Sequence, residues 1–307
     1  MRLQWAATEP IGTGRMSETM AELLRQMDLE RLEYNLFRGI SRDIVGPRVF
    51  GGQVLGQALI AAARTVETQP ARIAHSIHGY FMRPGDMTAP IVYEVDRIRD
   101  GGSFTTRRVV AVQRGRAIFS MSASFQVREA GAEHQISMPE VDGPEGLSSD
   151  LELWEHIIDQ VPPALRHRVL RQRPIELRPV DPINPLHPHA APPRQHIWLR
   201  ARERVDDDPV LHQGLLAFAS DFNLLGTALR PHGMSFLHEN LQAASLDHAM
   251  WFHRDFRIDE WLLYAMDSPS ASNGRGFSRG SLFTRDGRLA ASVAQEGLMR
   301  LRDPAPA

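Results

Sequence analysis

The sequence predicts an α+β protein made of two tandem copies of one unit, in which a long central helix is wrapped by an antiparallel sheet. Three observations predict it. Residues 49–63 and Leu211 to Thr227 are helix-like stretches, apolar on nearly all sides, and such a helix must be enclosed by other structure. Each is followed by strand-like runs rich in β-branched and aromatic residues, separated by turn residues. The second half also repeats the first. Phe81 and Arg83 match Phe252 and Arg254, and Tyr93 and Asp96 match Tyr264 and Asp267, at a common offset of 171 residues. Phe104 matches Phe277, and Gly115-Arg116 matches Gly287-Arg288, with the offset drifting by one or two.

In chain order, residues 1–15 carry little periodic pattern and read as a flexible extension or an upstream start. From Ser17 to Glu33 the residues Met20, Leu23, Leu24, Met27, Leu29 and Leu32 recur at helical spacing and predict an amphipathic lid helix. The Gly51-Gly52 entry then opens the first central helix. Strands are expected at His75–Met82, Pro90–Ile98, Phe104–Gln113 and Arg116–Val127, divided by Arg83-Pro84-Gly85-Asp86, Asp100-Gly101-Gly102 and Arg114-Gly115. Residues 16–130 therefore make one domain. Residues 131–190 read as a linker crossing the surface: Leu151 to Gln172 is helical in pattern but interrupted by Pro162-Pro163, and a Pro-rich stretch follows with one strand at Ile175–Val180. Residues 191–303 make the second domain, with a strand at His196–Glu203, the second central helix, and runs at Ala244–Arg254, Glu260–Asp267, Gly276–Thr284 and Leu289–Leu301.

Composition excludes several classes of function. With 42% hydrophobic and 23% charged residues in 307, the chain has the make-up of a soluble globular protein. Lys and Arg total 35 against 37 Asp and Glu, so no basic excess draws in nucleic acid or an anionic membrane. The absence of cysteine removes a thiolate nucleophile, a Cys-type zinc site and a disulfide framework. No apolar run reaches the ~18 residues of a membrane span, and Met1 to Arg15 lacks the apolar core of a signal peptide, so a cytoplasmic location is expected. His187 and His189 lie in a Pro-rich loop without a carboxylate cluster, and neither metal nor cofactor is expected.

One residue breaks the apolar run of the second central helix. Asp221 stands between Leu215-Leu216-Ala217-Phe218-Ala219-Ser220 and Phe222-Asn223-Leu224-Leu225, where an unpaired ion costs several kcal/mol or more. It is therefore either structurally paired or functional. The first central helix carries no acid.

The longer motifs are Phe50-Gly51-Gly52-Gln53-Val54-Leu55-Gly56-Gln57-Ala58, His75 to Asp86 and Arg99 to Phe104. In the second half they are Ser220-Asp221-Phe222-Asn223, Leu246-Asp247-His248-Ala249-Met250-Trp251-Phe252-His253-Arg254 and Val293-Ala294-Gln295-Glu296-Gly297. In this order, from about Met16 to Arg300, they resemble the acyl-CoA thioesterase II (TesB-like) family, whose fold is the double hotdog. The resemblance implies hydrolysis of acyl-CoA by a water held by Asp221, Ser245 and Gln295, with Ser245 at the head of a strand where the family often has Thr. It also implies association into a homo-oligomer. By pseudo-symmetry the oxyanion donors are expected either at Gly51 and Gly52 or at His212 and Gln213. For the glycines a tight turn that lets helix and sheet pack closely is an equal reading.

The sequence also carries features that fit three rival readings. Gly276-Phe277-Ser278-Arg279-Gly280 fits the G-x-S-x-G elbow of serine hydrolases, but the chain continues as strand and turn where that elbow needs a helix. Asp181-Pro182-Ile183-Asn184-Pro185-Leu186-His187 resembles the Asp/His motif of hotdog enoyl-CoA hydratases, with the Asp one residue too far from the Asn and Ala191-Pro192-Pro193 where the helix would begin. The alternative outside enzymology is a non-catalytic acyl-CoA binder, which has no use for a desolvated acid.

Overall fold

The computed structural model describes residues 17–43 and 48–302; the expected extension over 1–15 lies outside them. Helix α1 (Glu18–Met27) is capped by the Ser17 hydroxyl and buries Met20, Leu23 and Met27 as one stripe. It ends earlier than the periodicity predicts. Glu30–Glu33 (β1), exposed throughout, pairs with Leu36–Gly39 (β2), which buries Phe37, so Leu32, which fits the helical spacing, faces solvent instead. Helix α2 (Gly51–Ala63) is buried from Gly52 to Ala62. Gln57, inside it, donates to the Gln26 and Ile40 carbonyls and accepts from the Tyr93 hydroxyl. These bonds tie the helix to α1, to the residue that follows β2 and to the sheet.

The strands β3 (Arg72–Phe81), β4 (Ile91–Asp100), β5 (Phe104–Gln113) and β6 (Arg116–Val127) follow, close to their expected bounds. The crossing segment carries α3 (Asp150–His156), with a Ser149/Glu152 capping box, and α4 (Pro163–Val169), begun by the Pro162-Pro163 pair that interrupts the pattern. It does more than lie on a surface. Its strand β7 (Ile175–Pro179) pairs with β8 (Arg194–Ala201) and places Ile175 and Leu177 in the main core. Then come α5 (Pro209–Ser220), α6 (Leu224–Leu229), β9 (Leu241–Ser245), β10 (Asp247–Phe252), β11 (Leu262–Ser272), β12 (Arg275–Thr284) and β13 (Leu289–Leu301).

Among the described residues, thirteen strands form one sheet in the order β1-β2-β4-β5-β6-β3-β10-β13-β12-β11-β8-β7, with β9 also on β13. The two halves join where β3 pairs antiparallel with β10. Ala249 lies opposite His78, and Trp251 opposite Ser76 mirrors Asp247 opposite Tyr80. Ala249 is the 171-offset match of His78, so the pseudo-two-fold axis of the duplication runs through this pair. The buried helices α2 and α5 also meet antiparallel. A Cβ on Gly56 would lie 2.6 Å from the Gly214 carbonyl oxygen, and one on Gly214 2.8 Å from Ile60. Backbone-to-backbone approach of this kind needs glycine. No helix among the described residues is long and apolar enough to cross a membrane.

Candidate active site

The second central helix is not the continuous element that Leu211 to Thr227 suggests. Asn223 takes a left-handed conformation (φ 62°), and its carbonyl accepts from the Gln195 amide at 2.9 Å. The helix therefore stops at Ser220, with Asp221 as its C-cap, and α6 starts afresh. An acid at a helix C-terminus meets the negative end of the helix dipole. Asp221 is held there by three donors. Its Oδ2 accepts from the Gly52 backbone N–H at 2.9 Å, and its Oδ1 accepts from Gln295 Nε2 at 2.8 Å and from Ser245 Oγ at 3.3 Å. Gly52 lies in the first turn of α2, where unpaired N–H groups favour an anion. The carboxylate of one half thus caps the helix of the other, with its side chain only 6% exposed.

A local irregularity brings the strand residues together. Ser245 pairs with Gly297 and Ala249 with Ala294, so three residues on one strand face two on the other. This bulge separates β9 from β10. Sequence reasoning read one run through Ala244–Arg254 with Ser245 at its head, whereas Ser245 closes β9. In a regular strand residues 245 and 248 would face opposite sides; the extra residue lets both approach Gln295 and Asp221. The Asp247 carboxylate turns to the ladder instead and accepts the Glu296 N–H at 2.6 Å.

The structure adds His248, to which sequence reasoning gave no role although it lies in a quoted motif. It is completely buried, with Nε2 2.9 Å from Ser220 Oγ and Nδ1 3.0 Å from Gln295 Nε2. Burial pushes its pKa from 6.5 down to about 4, with Asp221 pulling weakly the other way. Unfolding restores the ordinary value. The unfolded chain therefore takes up a proton that the fold refuses, and the stabilisation present above pH 6.5 is lost as pH falls toward 4. The loss attributable to His248 is about 3 kcal/mol. Urea unfolding between pH 7 and pH 4.5 should show it as a slope reduced by about one proton in His248→Asn.

An aromatic wall adjoins the carboxylate. Phe50 stacks on Phe222 (4.8 Å between centroids) and meets Phe218 edge-on at 5.2 Å, while Phe81 lies against Gly51. The Arg173 guanidinium, from the crossing segment, sits 5.7 Å over Phe222. An open groove of about 830 Å³ lies elsewhere, between the crossing segment and the start of β8, and shares none of these residues.

Other candidates separate cleanly. His212 and Gln213 sit at the opposite end of α5 from Asp221, roughly 13 Å along the axis. There His212 Nδ1 accepts the Ile258 N–H and Gln213 donates to the Ala74 carbonyl. They cannot serve chemistry at Asp221. Ser278 is fully buried in mid-strand β12, without the strand-to-helix elbow. Asp181 to His187 lies in a connection that runs into β8 rather than a helix, and no group of three or more His, Cys, Asp or Glu among the described residues is placed to hold a metal.

In the first half, the matching C-cap of α2 is Arg64 rather than an acid. Arg107, fully buried, donates there to the Thr65 hydroxyl and carbonyl, to the Arg99 and Thr106 carbonyls and to Asp100. Every guanidinium donor is used, so that end is closed by a structural cation.

Residues 164–298 match the family model described as acyl-CoA thioesterase, and residues 41–126 match the acyl-CoA thioesterase N-terminal domain. Acyl-CoA thioesterase 2 of Haemophilus influenzae is 38% identical over 94% of this chain and 100% of its own length. The chain belongs to the acyl-CoA thioesterase II family. Human acyl-coenzyme A thioesterase 8 is 41% identical over 90% of this chain and 88% of its own. Among solved structures, the acyl-CoA thioesterase II TesB2 from Mycobacterium marinum superposes with a TM-score of 0.74 at 42% identity, covering 93% of this chain and 100% of that one. The expected α+β double hotdog is therefore the fold of this thioesterase.

Proposed function

We propose that the chain hydrolyses fatty acyl-CoA to free fatty acid and CoA by direct attack of a water held by Asp221, Ser245 and Gln295. The observation that carries the reading is a nearly buried carboxylate whose Oδ1 takes both an amide and a hydroxyl donor, beside an amide oxygen, Gln295 Oε1, that is buried and accepts from no described residue. Water bonded to this set attacks the thioester carbonyl carbon as Asp221 takes its proton. The tetrahedral intermediate then breaks its C–S bond and the proton passes to the departing CoA sulfur. General-base assistance of this kind is worth ~10²–10⁴ in rate.

In the structure the Gly52 N–H serves Asp221. The oxyanion is therefore assigned to the positive end of α2 as a whole, which Gly51 leaves open to a close approach. The aromatic wall of Phe50, Phe218, Phe222 and Phe81 suits the acyl chain.

Release of CoA from saturated acyl-CoAs of increasing length tests the reading. Turnover with no acyl-enzyme trapped on Ser245 supports it. Binding without turnover makes the chain a binding module, and an acyl-Ser245 adduct replaces direct water attack by covalent catalysis.

A further inference from the structure

We infer that His248 is a positioning residue, which as a neutral imidazole with its proton on Nε2 fixes the Gln295 amide so that its oxygen faces the attacking water. The inference rests on the proposed hydrolysis and adds a residue to that machinery.

Donor and acceptor identities leave one arrangement. Asp221 Oδ1, as a carboxylate oxygen, can only accept, so the Gln295 atom 2.8 Å away must be its NH₂. The same nitrogen lies 3.0 Å from His248 Nδ1, and an NH₂ beside an imidazole nitrogen requires that nitrogen to accept. The imidazole proton is therefore on Nε2, which faces Ser220 Oγ at 2.9 Å. Ser220 accepts it and donates its own proton to the Ala217 carbonyl at 2.9 Å. The chain of bonds runs in one direction from Gln295 to the backbone of α5, and no member is frustrated.

Both hydrogens of the Gln295 amide are consumed this way, one by Asp221 and one by His248. The oxygen is left over, buried and without a partner among the described residues, and Ser278, cross-strand from Gln295, does not hold it because its Oγ also lacks one. Turning the amide over would set its oxygen against two acceptors and lose both bonds. With Asp221 alone as partner the amide would have one anchor and could pivot. With two it is pinned. The low pKa of His248 agrees, since a protonated ring would set an N–H against the NH₂.

The distinguishing test is a set of variants assayed for CoA release. Asn can place an oxygen near the Nδ1 position, whereas Gln reaches toward Ser220 and gives up that acceptor. His248→Gln should lower kcat roughly 10–100-fold with KM within about twofold, and His248→Asn should recover most of the loss. In a Gln295→Ala background, His248→Gln should cost less than about twofold, because the group it acts through is gone. Equal losses in both backgrounds, a change confined to KM, or Asn as damaging as Gln would overturn the assignment. Imidazole ¹⁵N shifts of the wild-type protein, assigned by difference from His248→Asn, should show the Nε2–H tautomer at neutral pH; an Nδ1–H form or an imidazolium overturns it without any assay. No CoA release by wild type would sink the hydrolytic reading, while the tautomer still tests the geometry.

Discussion

Asp221→Asn is expected to slow CoA release by roughly 10²–10⁴ while leaving a folded protein. The asparagine oxygen can keep the bond from the Gly52 N–H, so the cap on α2 survives. Its NH₂ then faces Gln295 Nε2 and Ser245 Oγ, where the carboxylate had been a common acceptor. The serine hydroxyl can rotate to accept, but the Gln295 amide meets donor with donor. The variant thus loses the base and disturbs the amide at once, so its deficit should exceed that of Ser245→Ala, which removes one donor from Oδ1. Steady-state kinetics on the preferred acyl-CoA, with circular dichroism as the check on folding, decide it. Activity within about threefold of wild type would exclude Asp221 as the base.

Gly52→Ala is expected to damage stability and activity together. A Cβ there would lie 2.3 Å from the Phe218 carbonyl oxygen and 2.6 Å from the Phe50 ring. The ring can swing away, but a backbone oxygen in the last turn of α5, packed against α2, cannot. The helices must part, at a cost of about 1–3 kcal/mol typical of overpacking, and parting them stretches the bond from Gly52 to Asp221. Gly51→Ala differs in kind, because its Cβ would press on Asp221 Oδ2 at 2.7 Å and on the Phe81 ring at 3.1 Å. Both are side-chain atoms able to move, so activity should suffer more than stability. Gly102→Ala, with nothing within 4 Å, serves as the neutral control. Urea midpoints and CoA release on the three variants separate these cases; an unchanged midpoint for Gly52→Ala would mean that the helices are not in backbone contact there.

Much of this was legible in the sequence, for identifiable reasons. Strands β5, β6 and β13 have their expected bounds because their alternation is bounded by glycine-containing turns, and the duplication shows because matched residues keep one offset across the β3–β10 seam. Asp221 stood out as the one carboxylate in an apolar run. What stayed hidden was set by contacts that periodicity does not record. The Leu29 and Leu32 spacing extends the helical pattern past Met27, yet Glu30–Glu33 is drawn into a hairpin with β2. The stretch from Leu215 to Leu225 reads as one helix because every residue but Asp221 and Asn223 favours burial or helix, and only the left-handed Asn223 breaks it. The bulge between Ser245 and Ala249 is invisible because it depends on the partner strand's register. So is the third donor to Asp221, a backbone N–H from the other half of the chain.

That last bond has a consequence for how the molecule comes apart. A hydrogen bond between residues 52 and 221 closes the largest loop in the site, and it exists only while the two central helices are docked. Neither half expressed alone could hold the full donor set. Proteins open in cooperative units of unequal stability, and this bond belongs to the seam between two such units rather than to either. Mild denaturant or heat that loosens the seam should therefore extinguish turnover while the outer hairpins keep their amide protection, and the enzyme's inactivation curve should run ahead of its loss of secondary structure.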